Sequence, residues 1–175
     1  QVTPIHVYLT LFTSMFMHGG LAHLFGNMLY LWVFGDNLEN VMGHRNFFFF
    51  YLLCGVLAGL AHVFTSAYFS HSLLIPSLGA SGAISGVLGG YMVLFPMRRV
   101  YLWAFLFSIP VPAFVALSMW IMFQVINGMG TFGGTEAAGG IAYAAHIGGF
   151  AAGFFLVRTF VDKNLVLQQK RKMAR

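Results

Sequence analysis

The stretch LGASGAISG, residues 78–86, places three glycines and two serines at the head of a long apolar run. Gly82 and Gly86 are four residues apart, so on a helix they share a face on which a second helix can come close. Ser85 lies one turn below Ser81 on a common face. A hydroxyl in such a helix commonly bonds to the carbonyl one turn back. It can also be a nucleophile, and the surroundings of Ser81 decide between the two.

Those surroundings are apolar. Of 175 residues 59% are hydrophobic and only 7% charged, with a mean hydropathy of +0.80. Soluble domains carry about a quarter charged residues, so the composition indicates a membrane protein. The net charge of +5 does not point to nucleic acid, because the basic residues fall at helix ends and in a short tail, with no basic groove or recognition motif. Cys54, the single cysteine, has no internal disulfide partner and lies in an apolar run, which suits core packing. No cleavable signal pattern opens the chain. It starts on QVTPIHVYLTLF, which reads as the interior of a longer sequence.

A bilayer-crossing helix needs about 20 mostly apolar residues. Five spans are expected, at about 20–38, 46–68, 81–97, 112–127 and 139–161, with residues 1–19 an interfacial approach. Pro110 and Pro112 interrupt the fourth apolar stretch, and proline damages a helix interior but suits its first turn. Residues 100–109 therefore read as an interfacial segment. Residues 162–175 read as a solvated basic tail. All nine Lys and Arg residues (Arg45, Arg98, Arg99, Arg158, Lys163, Lys170, Arg171, Lys172 and Arg175) fall on one side of this layout, and Glu136 on the other. By the positive-inside rule the basic side, with the C-terminus, is cytoplasmic. The expected location is a prokaryotic cell membrane.

Polar groups inside a membrane are costly and often functional. His23, Asn27, Ser81 and His146 stand out, with His18 just above them at the outer edge. His23 and Asn27 share a helix face, as interhelical glue or as hydrogen-bond donors. Gly149 and Gly153 follow His146 on its own face, a smooth strip able to meet the Ser81 helix. At ~1.5 Å per residue, Ser81 lies ~22 Å above Pro96, His146 ~21 Å above Phe160 and His23 ~18 Å above Gly35. Three separate motifs thus reach a similar level, nearer the outer face.

At that level a chemistry takes form. A neutral imidazole within hydrogen-bond reach activates a serine hydroxyl. His23, Asn27 and the Ser81 N–H are candidate donors to the oxyanion that develops. Asp36, Glu39 and Asp162 sit at the cytoplasmic ends and Glu136 in an outer loop, so a Ser–His dyad is expected rather than a triad. Other classes fit worse. Ser81 lies in G-x-S-x-A, not the G-x-S-x-G elbow. No H-E-x-x-H motif exists for zinc, and His18 and His23 are five apart, off a shared face. Asp36 lacks a second membrane aspartate for an aspartyl dyad. No metal or other cofactor is expected.

Three elements together resemble the rhomboid family of intramembrane serine proteases, over nearly the whole chain. HGGLAHLFGN (18–27) is similar to its H-x(4)-H-x(3)-N element, LGASGAISG to its G-x-S-G nucleophile motif, and AAHIGGFAAG (144–153) to its A-H-x-x-G-x-x-x-G element. The resemblance implies an all-α polytopic helical bundle holding five of the six core membrane helices, with the first helix missing. It implies Ser81 as nucleophile, His146 as base, and His23 and Asn27 at the oxyanion. Gly79, Gly82, Gly86, Gly149 and Gly153 provide close helix packing at the site, with Ser85 and His18 lining its pocket. Some family members carry an aromatic one turn after the nucleophile, where this chain has Ser85.

The expected function is an intramembrane serine endopeptidase cutting transmembrane protein substrates near their outer ends. Its partners are those substrates and the lipid bilayer, not nucleic acid. A non-catalytic rhomboid-like protein that binds membrane clients is the alternative, opposed by the presence of both Ser81 and His146. A transporter fragment would continue its polar path toward the cytoplasmic side, and residues 86–95 offer none.

Overall fold

The computed structural model describes residues 6–69, 78–104, 107–132 and 143–167. A short helix α1 (His6–Thr13) runs through a 3-10 turn (Ser14–Phe16) to α2 (Leu21–Tyr30), which continues through a π-helical turn (Leu31–Gly35) into α3 (Asp36–Met42). The long α4 (His44–Phe69), the central α5 (Ser81–Leu94), α6 (Ala113–Phe132) and α7 (Tyr143–Phe160) complete the bundle. Between α5 and α6 lies one antiparallel ribbon, β1 (Arg99–Ala104) and β2 (Phe107–Pro112).

Among the described residues, His44–Tyr68 of α4 is the one helix long and apolar enough to cross a membrane, with a mean hydropathy of 2.1. Phe25, Trp32, Val63, Phe64, Phe123 and Phe155 are each more than half exposed. Soluble monomers rarely expose contiguous apolar surface on this scale, whereas lipid covers it without cost. The core runs along α5, where every residue from Ala83 to Tyr91 is buried.

Glycine contacts explain why α5 is central. A Cβ on Gly149 would collide with the Gly82 carbonyl, one on Gly153 with the Gly86 carbonyl, and one on Gly89 with the Phe150 carbonyl. The α5 and α7 backbones therefore touch. Between membrane helices, where no hydrophobic force favours association, such van der Waals contact is the main attraction. On its other flank Gly86 leaves room for Cys54, which is fully buried.

Three local features depart from expectation. The first helical segment does not end near residue 38: Leu38, Val41 and Met42 recur at helical spacing and are buried, carrying the helix on to Met42. It ends at Gly43, whose φ of +80° favours glycine. Residues 100–109 are not a plain interfacial segment but most of the ribbon, with Tyr101 opposite Pro110 and Arg99 opposite Pro112. The two prolines fall at alternate positions of β2, so both missing N–H groups lie along one edge of the strand. β-Branched and aromatic residues such as Val100, Tyr101, Ile109 and Val111 suit such a ribbon. Finally, the start of the basic tail is docked rather than solvated. The Asp162 N–H donates to the Val41 carbonyl at 2.9 Å, residues 163–167 are helical, and Val166 packs on the core. The remainder of the tail, the outer loop at 70–77 and Glu136 lie outside the described residues.

Candidate active site

Ser81 is the first residue of α5. The turn that delivers it depends on Gly79, at φ +107°, a conformation that L side chains rarely adopt. The Gly79 N–H donates to the Ser14 carbonyl at 2.8 Å. A Cβ on Gly79 would lie 2.8 Å from Cε1 and 2.9 Å from Nε2 of His23, and 3.6 Å from Nδ2 of Asn27. Backbone conformation and space thus independently require glycine here, and they bring the α2 pair against the turn before Ser81.

His146 enters from α7. Its Nε2 is 2.8 Å from Ser81 Oγ and its Nδ1 is 2.8 Å from Oε1 of Gln124. The glycine contacts make this reach possible, since a side chain at Gly149 or Gly153 would push α5 and α7 apart, while one at Gly82 or Gly86 would meet Ala58 or Cys54 of α4. Trp120, four residues before Gln124 on the same face of α6, packs its ring 5.9 Å from the imidazole at a 38° tilt, and 6.2 Å from Phe150.

The other sequence candidates separate into two groups. His23 Nδ1 accepts a long, 3.4 Å hydrogen bond from the Gly19 N–H. With Nδ1 as acceptor, the neutral ring carries its proton on Nε2, the nitrogen facing Gly79. Asn27 is 8% exposed, and its Nδ2 has no partner among the described residues. A buried donor left unpaired costs about 1–3 kcal/mol, which a strong acceptor in the site would recover. Both therefore belong to the Ser81 neighbourhood.

Ser85 and His18 each touch one member of this group. Ser85 is 1% exposed, and its hydroxyl donates to the Ser81 carbonyl at 2.6 Å. It fills the inner face of α5. His18 packs edge-on against His23, with ring centroids 5.3 Å apart, and lines an apolar groove of about 1060 Å³ that reaches Ala80 and is flanked by Leu24 and Met28 of α2 and Phe48 and Tyr51 of α4.

Two neighbours of His146 went unread in the sequence, Gln124 and Trp120. Gln124 carried a usable signal: an amide in an apolar span, ~17 Å along α6 from Ala113 and so near the level of the other polar groups. Trp120 carried none, because aromatic residues are ordinary in such helices. It supplies from α6 the aromatic neighbour of the histidine that Ser85 does not supply from α5.

The chain matches the Rhomboid domain family over residues 6–163. It belongs to the rhomboid family. It is 34% identical over 160 residues to Rhomboid protein 1, mitochondrial, of Saccharomyces cerevisiae, covering 91% of this chain and 44% of that protein. It is 34% identical over 146 residues to the rhomboid protease GluP of Bacillus subtilis, covering 83% and 24%. To the human presenilin-associated rhomboid-like protein, mitochondrial, it is 33% identical over 148 residues, covering 82% and 36%. This rhomboid chain thus spans less than half the length of these curated relatives. It is a helical membrane protein of a family that includes serine proteases. The expected prokaryotic cell membrane is overturned: the yeast and human relatives are mitochondrial proteins. With the compartment falls the assignment of the C-terminal side to the cytoplasm.

Proposed function

We propose that this rhomboid is a serine endopeptidase acting on transmembrane proteins in a mitochondrial membrane. The observation that carries the reading is the 2.8 Å contact of His146 Nε2 with Ser81 Oγ. Here the imidazole lone pair accepts the hydroxyl proton as Oγ attacks a peptide carbonyl carbon. The carbonyl π pair moves to oxygen, and the new oxyanion is met by Asn27 Nδ2, His23 Nε2–H and the Ser81 N–H, which as a first-turn amide has no intrahelical acceptor. As the tetrahedral intermediate collapses, the C–N bond breaks and His146 returns the proton to the leaving amine. A water, deprotonated by the same nitrogen, then hydrolyses the Ser81 ester.

The substrate must be partly unwound, because a helix holds its carbonyls in its own hydrogen bonds. At 14 residues α5 is ~21 Å long and the 26-residue α4 is ~39 Å. This difference supports a Ser81 recessed below the outer end of the bundle, where an unwound segment can descend to it.

The direct test is a fluorophosphonate probe applied to the protein in membranes. Labelling is expected in the wild type and in Ser85→Ala, and its loss in Ser81→Ala. Equal labelling of wild type and Ser81→Ala overturns the assignment. A second expectation concerns the unpaired amide: Asn27→Ala should lower kcat by about 10²- to 10³-fold, the cost of one oxyanion donor, with little change in KM. A change confined to KM would instead make Asn27 a substrate-binding residue.

A further inference from the structure

The neighbour of His146 on the side away from Ser81 is Gln124, which is 6% exposed. On the adjoining turns of α6, Met119, Met122 and Phe123 are more than half exposed, so Gln124 is the polar residue this stretch turns inward. Its Oε1 stands 2.8 Å from His146 Nδ1, while the opposite ring nitrogen meets Ser81. We infer that Gln124 is a positioning residue that holds His146 in the one neutral tautomer able to activate Ser81, a role that rests on the dyad reading.

The argument follows from the inventory of donors and acceptors. A neutral imidazole has one N–H and one lone pair. An amide oxygen only accepts, so opposite Oε1 the proton must be on Nδ1, and the lone pair of Nε2 is then aimed at the serine O–H. The alternative tautomer would set a lone pair against Oε1 and an N–H against the hydroxyl, which leaves no base. In soluble serine hydrolases a carboxylate fixes this tautomer. Within a membrane a carboxylate is much costlier to bury than an amide, and the ring nitrogens of His146 meet Gln124 and Ser81 rather than an acid. Glu39 pairs with His44, Asp162 accepts the Asn164 N–H, and Asp36 begins α3. A glutamine provides the acceptor without the charge. Trp120, on the same face of α6, limits the ring's rotation from one side, so α6 holds the base by one packing contact and one hydrogen bond.

The test uses the full chain in lipid, with Gln124→Met, which keeps the volume and removes the acceptor, and Gln124→Glu, which keeps an accepting oxygen. Gln124→Met is expected to lower kcat about 10²-fold, the lower end of a general base's contribution, with KM within about twofold of wild type. Gln124→Glu is expected to retain most of kcat. Nitrogen-15 spectra of histidine-labelled protein should show His146 protonated on Nδ1 in the wild type and shifted toward Nε2–H in Gln124→Met. Wild-type kcat in a folded Gln124→Met, equal loss in both variants, or an Nε2–H tautomer in the wild type would each overturn the role. The wild-type spectrum decides even if Gln124→Met fails to fold. Fluorophosphonate labelling keeps the two readings apart: absence of Ser81-dependent labelling counts against the dyad, whereas normal labelling with the wrong tautomer counts against Gln124 alone.

Discussion

Turnover of a transmembrane substrate in proteoliposomes is expected to fall by about 10⁴- to 10⁶-fold in Ser81→Ala and by a similar factor in His146→Ala. The double variant Ser81→Ala/His146→Ala should be no slower than the worse of the two. The reason is that the groups act as one unit across the 2.8 Å contact: without the imidazole the hydroxyl keeps its proton, and without the hydroxyl the imidazole has nothing to activate. Residual rate above background would come from the oxyanion donors, Asn27, His23 and the backbone N–H of residue 81. If the two single losses instead multiplied in the double variant, Ser81 and His146 would be acting separately and the dyad would be wrong.

The second large effect concerns stability. Gly153→Ala adds one methyl group, and that methyl meets the backbone carbonyl of Gly86 at a distance real atoms do not adopt. A crowded side chain can rotate away, but a helix backbone cannot. The α5 and α7 helices must separate along their length, forfeiting the close contact that binds them. Overpacking usually costs about 1–3 kcal/mol, and a backbone obstacle puts this substitution at or beyond the top of that range. Thermal unfolding in detergent or lipid should show a clear drop, accompanied by loss of turnover as His146 withdraws from Ser81. Gly26→Ala provides the contrast. Nothing lies within 4 Å of the added carbon, so stability should hold or rise by up to about 1 kcal/mol through helix propensity. Equal unfolding temperatures for the two variants would mean that α5 and α7 are not in backbone contact.

These expectations draw on residues legible to different degrees in the sequence. Apolar runs such as FFFFYLLCGVLAGLAHVF (47–64) announce a helix because every backbone group in a membrane must be paired within its own segment. Ser81, His146, His23 and Asn27 stood out as polar groups at one depth, a property that helical rise alone converts into distance. The ribbon of residues 99–112 did not announce itself. Its prolines read as helix breaks, and whether a proline also fits a strand depends on which edge its missing N–H faces, a matter of pairing and not of composition. Docking of Asp162 was hidden for the same reason, since its partner, the Val41 carbonyl, lies more than 100 residues away.

By itself the sequence determined the membrane class, the helical course of the chain, and the set of small and polar residues from which a site can be made. These follow from local rules: burial in lipid, rise per residue and the face a residue occupies. Only the tertiary structure decided which atoms meet. It turned α6 so that Gln124 and Trp120 face His146, engaged the Ser85 hydroxyl with the Ser81 carbonyl, and set one imidazole nitrogen toward Ser81 and the other toward Gln124. A hydrogen bond weakens steeply with a few tenths of an ångström or a modest change of angle. Its existence therefore depends on the rotation and separation of helices that the glycine contacts set, and no local pattern carries that information.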